Sequence, residues 1–580
     1  MHESKESEFS LYDLFVPLTL KKVIIFLITI GVVVFFNAFF NGFVWDDIGY
    51  ILLNNELHRF NLLHLFGLKE FTSGGYFRPI SAIYFSLFYN LFGSHAFFYH
   101  FFQISLHITN ACLVYIFFSK FFKNTTAFLL AVLFLIHPIQ TEAVVYIGDS
   151  QSELLFLFGI TALLISLKEK FATKDFVITA ILLLLALLTK ETGILFVLFI
   201  TLFQYLVKKR KELTFVLYSL LVIGSYLFIR LVLVKSFFEK NLTSPIGNVS
   251  LGERLLNLPN VFFYYLKTFF YPVTLGIDQR WTVTAIDLQH FYFPLFLDLV
   301  FLLAIGVVGF ILYKNKKQTF LFFVFFAVWF LVSIGMLLQI FPLDMTVSER
   351  WFYIPMVGML GIIGYAIQLI SFSNKNIFRY FSITVGMIVV ILSVRTMVRT
   401  TNWVDTITLY SHDIRVDDNY DLEDNLGTEY AYAGRYKEAL PYLQKGVKMA
   451  PHSTNIYNLA SAYYQLGYYT QAEYYYMLTL KQDDEPDLKR QMTRNAYNGL
   501  AQVYVLHKDP KEANVFMTEV LKRYPTSGTF WAYLAITDYK LGNQEKALNE
   551  AKKAREILHN SSTEKLYQLI LKKKPLDLHQ

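Results

Sequence analysis

Cysteine is nearly missing from this chain. The single Cys112 lies inside an apolar stretch, so neither a disulfide framework nor a cysteine-based metal site can be built. Charge is scarce too: Asp, Glu, Lys and Arg supply 17% of the 580 residues, against 55% hydrophobic and 18% aromatic. With a mean hydropathy of +0.40, an ordinary soluble enzyme of this length is excluded. No Walker-type or dinucleotide glycine motif occurs, so neither ATP nor a nicotinamide cofactor is implied. The net charge of +7 is modest, and no nucleic-acid partner is expected.

What is present is a series of apolar runs from Lys22 to about Met397. Runs of the kind that recur there suit the roughly 30 Å bilayer core, which needs about 20 mostly apolar residues per helix. Basic clusters separate them at Lys21 and Lys22, Lys120 and Lys123, Lys168 to Lys174, Lys208 to Lys211, Lys314 to Lys317, and Lys375 with Arg379. Lys and Arg prefer the cytoplasmic side of short loops. With all six clusters inside, about eleven crossings are expected, at 22–42, 97–118, 125–145, 153–168, 175–190, 191–207, 213–234, 291–313, 318–340, 352–372 and 378–397. The polar N-terminus, with no small-residue cleavage site after it, is then cytoplasmic and leads into an uncleaved first helix. The loops 43–96, 138–152, 235–290 and 341–351 and the turn at 190 fall on the outer face, with 79–92 and 261–275 as interfacial or re-entrant helices.

From about Asn402 the chain turns charged and Tyr-rich. NLGTEYAYAGRYKEAL from Asn425 matches NLASAYYQLGYYTQAE from Asn458 at a spacing of 33, and Ala513 and Ala547 lie 34 apart. Small residues at the helix crossing and Pro451 and Pro525 after the second helices make this a tetratricopeptide array, a stack of helix pairs that presents a groove for an extended peptide. The expected domains are 1–400 in the membrane, a linker at 401–420, and repeats at 421–580 on the outer side.

Asp46 and Asp47 follow the first apolar run. Carboxylates at a membrane edge are a functional hypothesis by default. The other outer loops add Arg78, then His137, Glu142, Asp149 and Glu153, then Lys190 and Glu191, then Asp344, Glu349 and Arg350; Arg230 and Lys267 are weaker candidates. Carboxylates gathered with cations on one face suit a reaction in which a base takes a hydroxyl proton while cations stabilise a departing anion such as a lipid phosphate. Bland readings stand beside these: a helix end for His137 before Pro138, a local ion pair for Lys190 and Glu191, and belt or core roles for the aromatics. Asp46, Asp47 and Asp149 are hard oxygen ligands that suit Mg or Mn, although no spacing compels a metal and the chemistry just outlined needs none.

The ordered motifs VWDD, YFRPI, HPIQTEAVVYI, KETG, YYLKTFFYPVTL and SERWFYIPMVG, followed by the repeats, resemble the transmembrane and tetratricopeptide-repeat-containing O-mannosyltransferases and their prokaryotic relatives. The resemblance implies an all-α type C glycosyltransferase fold. It also implies an inverting enzyme that moves a sugar, mannose in that family, from a polyprenyl-phosphate carrier to a Ser or Thr hydroxyl of an acceptor protein. One of Asp46 and Asp47, Asp46 first, is then the base; Arg350, Arg78 and Lys190 hold the lipid phosphate. His137, Glu142, Asp149, Glu153, Glu191 and Glu349 position donor or acceptor. The chain departs from the family at GDSQSELL, where Gln151 stands near the expected basic residue. Alternatives are the same donor with a lipid or surface-glycan acceptor, or a membrane-anchored repeat scaffold without activity. The Lys, Phe and Ile richness points to a bacterial membrane rather than the endoplasmic reticulum.

Overall fold

A computed structural model describes residues 18–67, 76–208, 212–236, 245–370, 375–482 and 486–576. The polar N-terminal tail through residue 17 and three of the KKRK residues, Lys209, Arg210 and Lys211, lie outside them. The described residues are mostly helical, and one isolated antiparallel bridge, Gln279 to Val347, is the only extended pairing among them. The chain divides into two compact units, Met1–Asp417 and Asp418–Gln580.

Among the described residues of the first unit, eight helices are long and apolar enough to cross a membrane: Ala96–Phe118, Ile147–Ser166, Glu191–Lys208, Thr214–Leu233, Leu288–Asn315, Lys317–Gly335, Glu349–Gln368 and Asn376–Thr401. The protein is a multi-pass membrane protein. Three of the eleven expected crossings take other forms. The run 22–42 becomes the helix Leu20–Val34 and a 3-10 turn Phe36–Phe40, and 175–190 becomes the 17-residue helix Thr173–Thr189. The run 125–145 breaks by 50° between Asn124–Ile136 and Pro138–Val145, because Pro138 has no N–H to continue the helix. Of the two pieces expected at the interface, 79–92 is the short apolar helix Pro79–Phe92, and 261–275 ends the longer amphipathic helix Leu251–Phe270, opened by a Ser250–Glu253 capping box.

Burial orders the bundle. Ile147–Ser166 and Glu349–Gln368 are the most enclosed, each 72% buried, whereas Leu288–Asn315 at 17% faces mostly outward. The enclosed helix Tyr353–Gln368 approaches its neighbour closely: a Cβ on Gly358 would come within 2.5 Å of the Phe330 backbone, and one on Gly361 within 2.2 Å of the Phe326 ring. Small residues at such crossings let membrane helices gain dispersion contact where no hydrophobic effect drives them together.

After the last long helix, Asp405 caps the short helix Thr406–Asp413. This stretch, expected to be a linker, packs within the first unit. Asp413 accepts from the Ile277 amide at 2.8 Å, and Asp417 from the Arg280 amide at 2.9 Å, fastening the loop after Leu251–Phe270.

The described part of the second unit is four helix pairs and a further helix, Ser561–Leu571. Glycines close three of the pairs at positive φ: Gly434 (73°), Gly467 (81°) and Gly542 (84°). In the first three pairs an aromatic on one helix stacks on an aromatic of the next, Tyr430 on Tyr442, Tyr463 on Tyr475 and Tyr504 on Phe516, with centroids 5.6, 5.4 and 4.4 Å apart. The same register in the fourth pair holds Asp538 and Glu550, both buried.

Candidate functional site

The two adjacent aspartates have opposite surroundings. Asp47 is fully buried; its Oδ1 accepts from the Gly148 amide at 2.7 Å and its Oδ2 from the Val44 amide at 3.1 Å. Burial pushes its carboxyl well above the usual carboxylate range, against those two amides and with the Asp46 charge adding to the rise. Asp46 is exposed, with the Tyr146 hydroxyl 3.4 Å from its Oδ2. The turn that separates their fates runs through Trp45, whose φ of 56° is left-handed. A bulky residue held there costs about 1–3 kcal/mol and persists only where neighbours over-determine it. Here the neighbours are the Tyr146 ring, 5.0 Å away, and the Arg350 guanidinium, 5.2 Å from the indole centroid.

Arg350 itself is fixed by Glu142. Its Nη1 donates to Glu142 Oε1, its amide donates to Oε2 at 3.0 Å, and Ser348 Oγ donates to the same carboxylate at 2.9 Å. Glu142 is fully buried on the short helix after the His137 bend, so the bend turns that carboxylate toward the start of Glu349–Gln368. The guanidinium also lies 5.6 Å from the Tyr146 ring, in an aromatic frame that suits a planar, weakly hydrated cation.

Two further cations sit nearby, each likewise on a carboxylate. Lys190 Nζ donates to Asp149 Oδ1 at 2.9 Å and to Ser152 Oγ at 2.7 Å. Arg78 Nε donates to Glu191 Oε2 at 2.9 Å, and its Nη1 to Gln151 Oε1 at 3.3 Å. The local Lys190–Glu191 pair considered from the sequence therefore does not form: the extended backbone at Lys190 sends the two side chains to different partners. Lys190 lies within electrostatic range of both Arg78 and Arg350, and Asp149 within range of Arg350 and Glu142. Gln151, at the departure from the family motif, is the acceptor that Arg78 reaches.

Of the other candidates, His137, Glu153, Glu349 and Lys267 stand apart from this cluster. His137 stacks on Phe269 with centroids 5.0 Å apart and hydrogen-bonds to the Phe269 carbonyl at 2.8 Å, which suits the helix-end reading. Glu153 is one turn deeper than Asp149, fully buried, and 3.8 Å from His107; neither carboxyl oxygen has a hydrogen-bond partner among the described residues. Glu349 accepts from the Gly276 amide at 2.6 Å and so belongs to the fastened loop. Lys267 is exposed on its helix, whereas Arg230 donates to the Tyr226 hydroxyl at 3.0 Å and lies 3.7 Å from Glu191, the carboxylate that holds Arg78, and the half-buried Asp344 lies within electrostatic range of Arg350. Asp46, Asp47 and Asp149 do not form a cage, since Asp47 turns to backbone amides and Asp149 to Lys190; among the described residues no three His, Cys, Asp or Glu side chains converge as metal ligands.

A family model described as dolichyl-phosphate-mannose-protein mannosyltransferase matches residues 78–234, and one described as tetratricopeptide repeat matches 424–453. The protein O-mannosyl-transferase TMTC3 of Mus musculus is 24% identical over 511 residues, 79% of this chain and 54% of its own. The Caenorhabditis elegans protein O-mannosyl-transferase F38B6.6 is 25% identical over 454 residues, 74% of this chain and 63% of its own. This chain is homologous to the TMTC-type protein O-mannosyl-transferases. Higher identity is local: the mouse protein O-mannosyl-transferase TMTC1 is 37% identical over 142 residues, 22% of this chain and 15% of its own. The chain spans about half the length of the TMTC3 relatives it matches.

The mannosyltransferase match begins at Arg78 and takes in Glu142, Asp149 and Lys190, but neither Asp46 nor Arg350. Sequence reasoning did not single out Tyr146, Ser348 or Ser152, which bind the acids and cations of the cluster. Tyr146 is one of 39 tyrosines; its place in the HPIQTEAVVYI motif, between Glu142 and Asp149, is the signal that could have found it.

Proposed function

We propose that the protein is an inverting glycosyltransferase that moves mannose from a polyprenyl-phosphate donor to a Ser or Thr hydroxyl of an acceptor protein on the extracytoplasmic face. The names of the homologues and of the matching family support mannose, a lipid-phosphate donor and a protein acceptor. The observation that carries the reading is the split between the aspartates: Asp47 is consumed by two backbone amides, which leaves Asp46 exposed beside Tyr146 and close to the aromatic frame of Arg350.

In this reading Asp46 takes the proton of the acceptor hydroxyl as the oxygen attacks the anomeric carbon. The bond from that carbon to the phosphate oxygen breaks, and the lipid phosphate leaves with the electron pair. Arg350, Arg78 and Lys190 stabilise its charge. Their carboxylate partners hold them in position before the donor arrives, so little reorganisation is needed when the charge develops. Glu142 and Asp149 thus orient cations and do not themselves touch the sugar. Asp47 fixes the turn that presents Asp46. The repeats guide the polypeptide acceptor, as a tetratricopeptide groove is suited to do.

Purified protein in lipid, given radiolabelled polyprenyl-phosphate-mannose and a Ser/Thr-rich peptide, should release labelled peptide, and Asp46→Asn should abolish release. Labelled lipid or glycan in place of peptide would redirect the acceptor assignment. No consumption of any polyprenyl-linked sugar in a small panel would leave the scaffold reading.

A further inference from the structure

The segment that follows the last membrane-spanning helix reaches back to the loop that carries Asp46. The Gly42 amide donates to the Val404 carbonyl at 2.9 Å, and Asn41 Nδ2 donates to the Thr400 carbonyl at 3.0 Å, contacts that join residues some 360 positions apart. Between them lies Trp403, fully buried. Its indole stacks on the Tyr146 ring, centroids 6.2 Å apart and planes inclined by 28°. Tyr146 in turn has Trp45 5.0 Å away and its hydroxyl on Asp46. The ring has little freedom to leave this position: a Cβ on Gly148 would lie 2.6 Å from the Tyr146 hydroxyl, so that glycine is the space the phenol occupies. Trp403 itself has a fixed cation beside its ring. The Arg399 guanidinium lies 5.5 Å from its centroid and is anchored to Asp413 at 3.0 Å, whose other oxygen binds the Ile277 amide.

We propose that Trp403 is a positioning residue for the transfer reaction, setting the orientation of the Asp46 carboxylate through the face of Tyr146. The inference rests on the reading of Asp46 as the base. Trp403 touches neither donor nor acceptor; it determines where the Tyr146 hydroxyl stands, and the hydroxyl determines how the carboxylate is turned toward the acceptor. The strap 399–413 is then part of the catalytic apparatus rather than a spacer. A misplacement of about 1 Å at a reacting group lowers turnover by up to about a hundredfold while leaving the donor site intact.

The test uses the full chain in lipid nanodiscs. Trp403→Leu keeps most of the buried volume but lacks the flat face, and Trp403→Phe keeps a flat face. The Leu variant should lower kcat for labelled polyprenyl-phosphate-mannose by about tenfold to a hundredfold with donor KM within about twofold, and the Phe variant should recover most of that loss. Tyr146→Phe combined with Trp403→Leu should lose less than the product of the single losses, because both act through one contact. Hydrogen exchange gives a readout independent of turnover: segments 41–48 and 146–149 should exchange several-fold faster in the Leu variant, with Lys317–Gly335 unchanged. An unchanged kcat, a loss confined to KM, or a Phe variant as impaired as Leu overturns the inference. If the wild type consumes no donor, the functional reading falls, and exchange alone decides whether Trp403 holds the loop: unchanged exchange at 41–48 and 146–149 overturns that as well.

Discussion

In the membrane unit Glu142 finds Arg350 across 208 residues of sequence, and both side chains are nearly or wholly out of water. In the repeat unit Arg435 finds Glu438 three residues on, with both side chains about half exposed. The first kind of pair exists only once the fold has assembled, and leaving either partner alone strands a charge where water cannot reach it. The second kind forms on any helix that happens to be there and is screened by solvent. The Glu142–Arg350 charges are thus structural apparatus and the Arg435–Glu438 charges surface dressing, although the residue types are the same.

The strongest way to test this contrast is at the exposed acid of the cluster. Asp46→Asn should lower mannosyl transfer by about a hundredfold to ten-thousandfold, the range expected for removing a general base, with the melting temperature unchanged. Asp47→Asn, whose amide cannot accept from both Gly148 and Val44 through two oxygens, should by contrast lower thermal stability; equal melting of the two variants would contradict the division of roles. Next in size, Glu142→Ala should cost about 3–5 kcal/mol by leaving Arg350 buried without its carboxylate, read as a fall in the detergent-solubilised melting temperature. Partial restoration by Glu142→Gln, which keeps one acceptor, would sharpen the assignment.

A smaller effect is expected at Asp424, one of the buried acids of the repeat unit. It is buried, hydrogen-bonded to Asn458 at 2.9 Å, and burial raises its carboxyl to about 7. Since that value lies above the unfolded value of roughly 3.9, the folded state binds the extra proton, and this contribution to stability is full below about pH 4 and lost as pH rises through about 7. Asp424→Asn should therefore raise the melting temperature by a few degrees at pH 8 and very little at pH 4. Smallest of all, Arg435→Ala should shift the melting temperature by less than about 1 °C, and added salt should erase even that. A larger shift would mean that the exposed pairs of the repeats hold more than surface.

The same contrast explains how much of the molecule is legible in its sequence. The apolar runs, their basic boundaries and the 33- and 34-residue spacing are local periodicities, and they lead to membrane helices and repeats close to those observed. The acids and cations of the loops are legible one at a time, but their pairings are not. Lys190 and Glu191 are neighbours in sequence yet point to Asp149 and Arg78. Asp149 and Glu153 share a helix face four residues apart, but the one-turn difference in depth takes Glu153 out of the polar cluster and sets it beside His107. Asp46 and Asp47 are indistinguishable as letters; the distinction comes from Gly148, a hundred residues downstream, whose amide reaches only one of them. Tyr146, one of 39 tyrosines, lies within the HPIQTEAVVYI motif without standing out from it, and Trp403, one of six tryptophans, lies outside every motif that points to the site.

The aromatic stacks inside the first three helix pairs give the array a grammar. Wherever that register reads as two rings, a unit offers its neighbour the same kind of interior, so the first three units are interchangeable in kind, each stack adding about 0.5–1.5 kcal/mol beyond simple burial. The fourth, reading Asp538 and Glu550, is not. Duplicating the second unit in tandem should therefore yield a longer array that still melts cooperatively, whereas duplicating the fourth would install a second buried acid pair and fray at the copy. The order of units is itself encoded, two letters at a time.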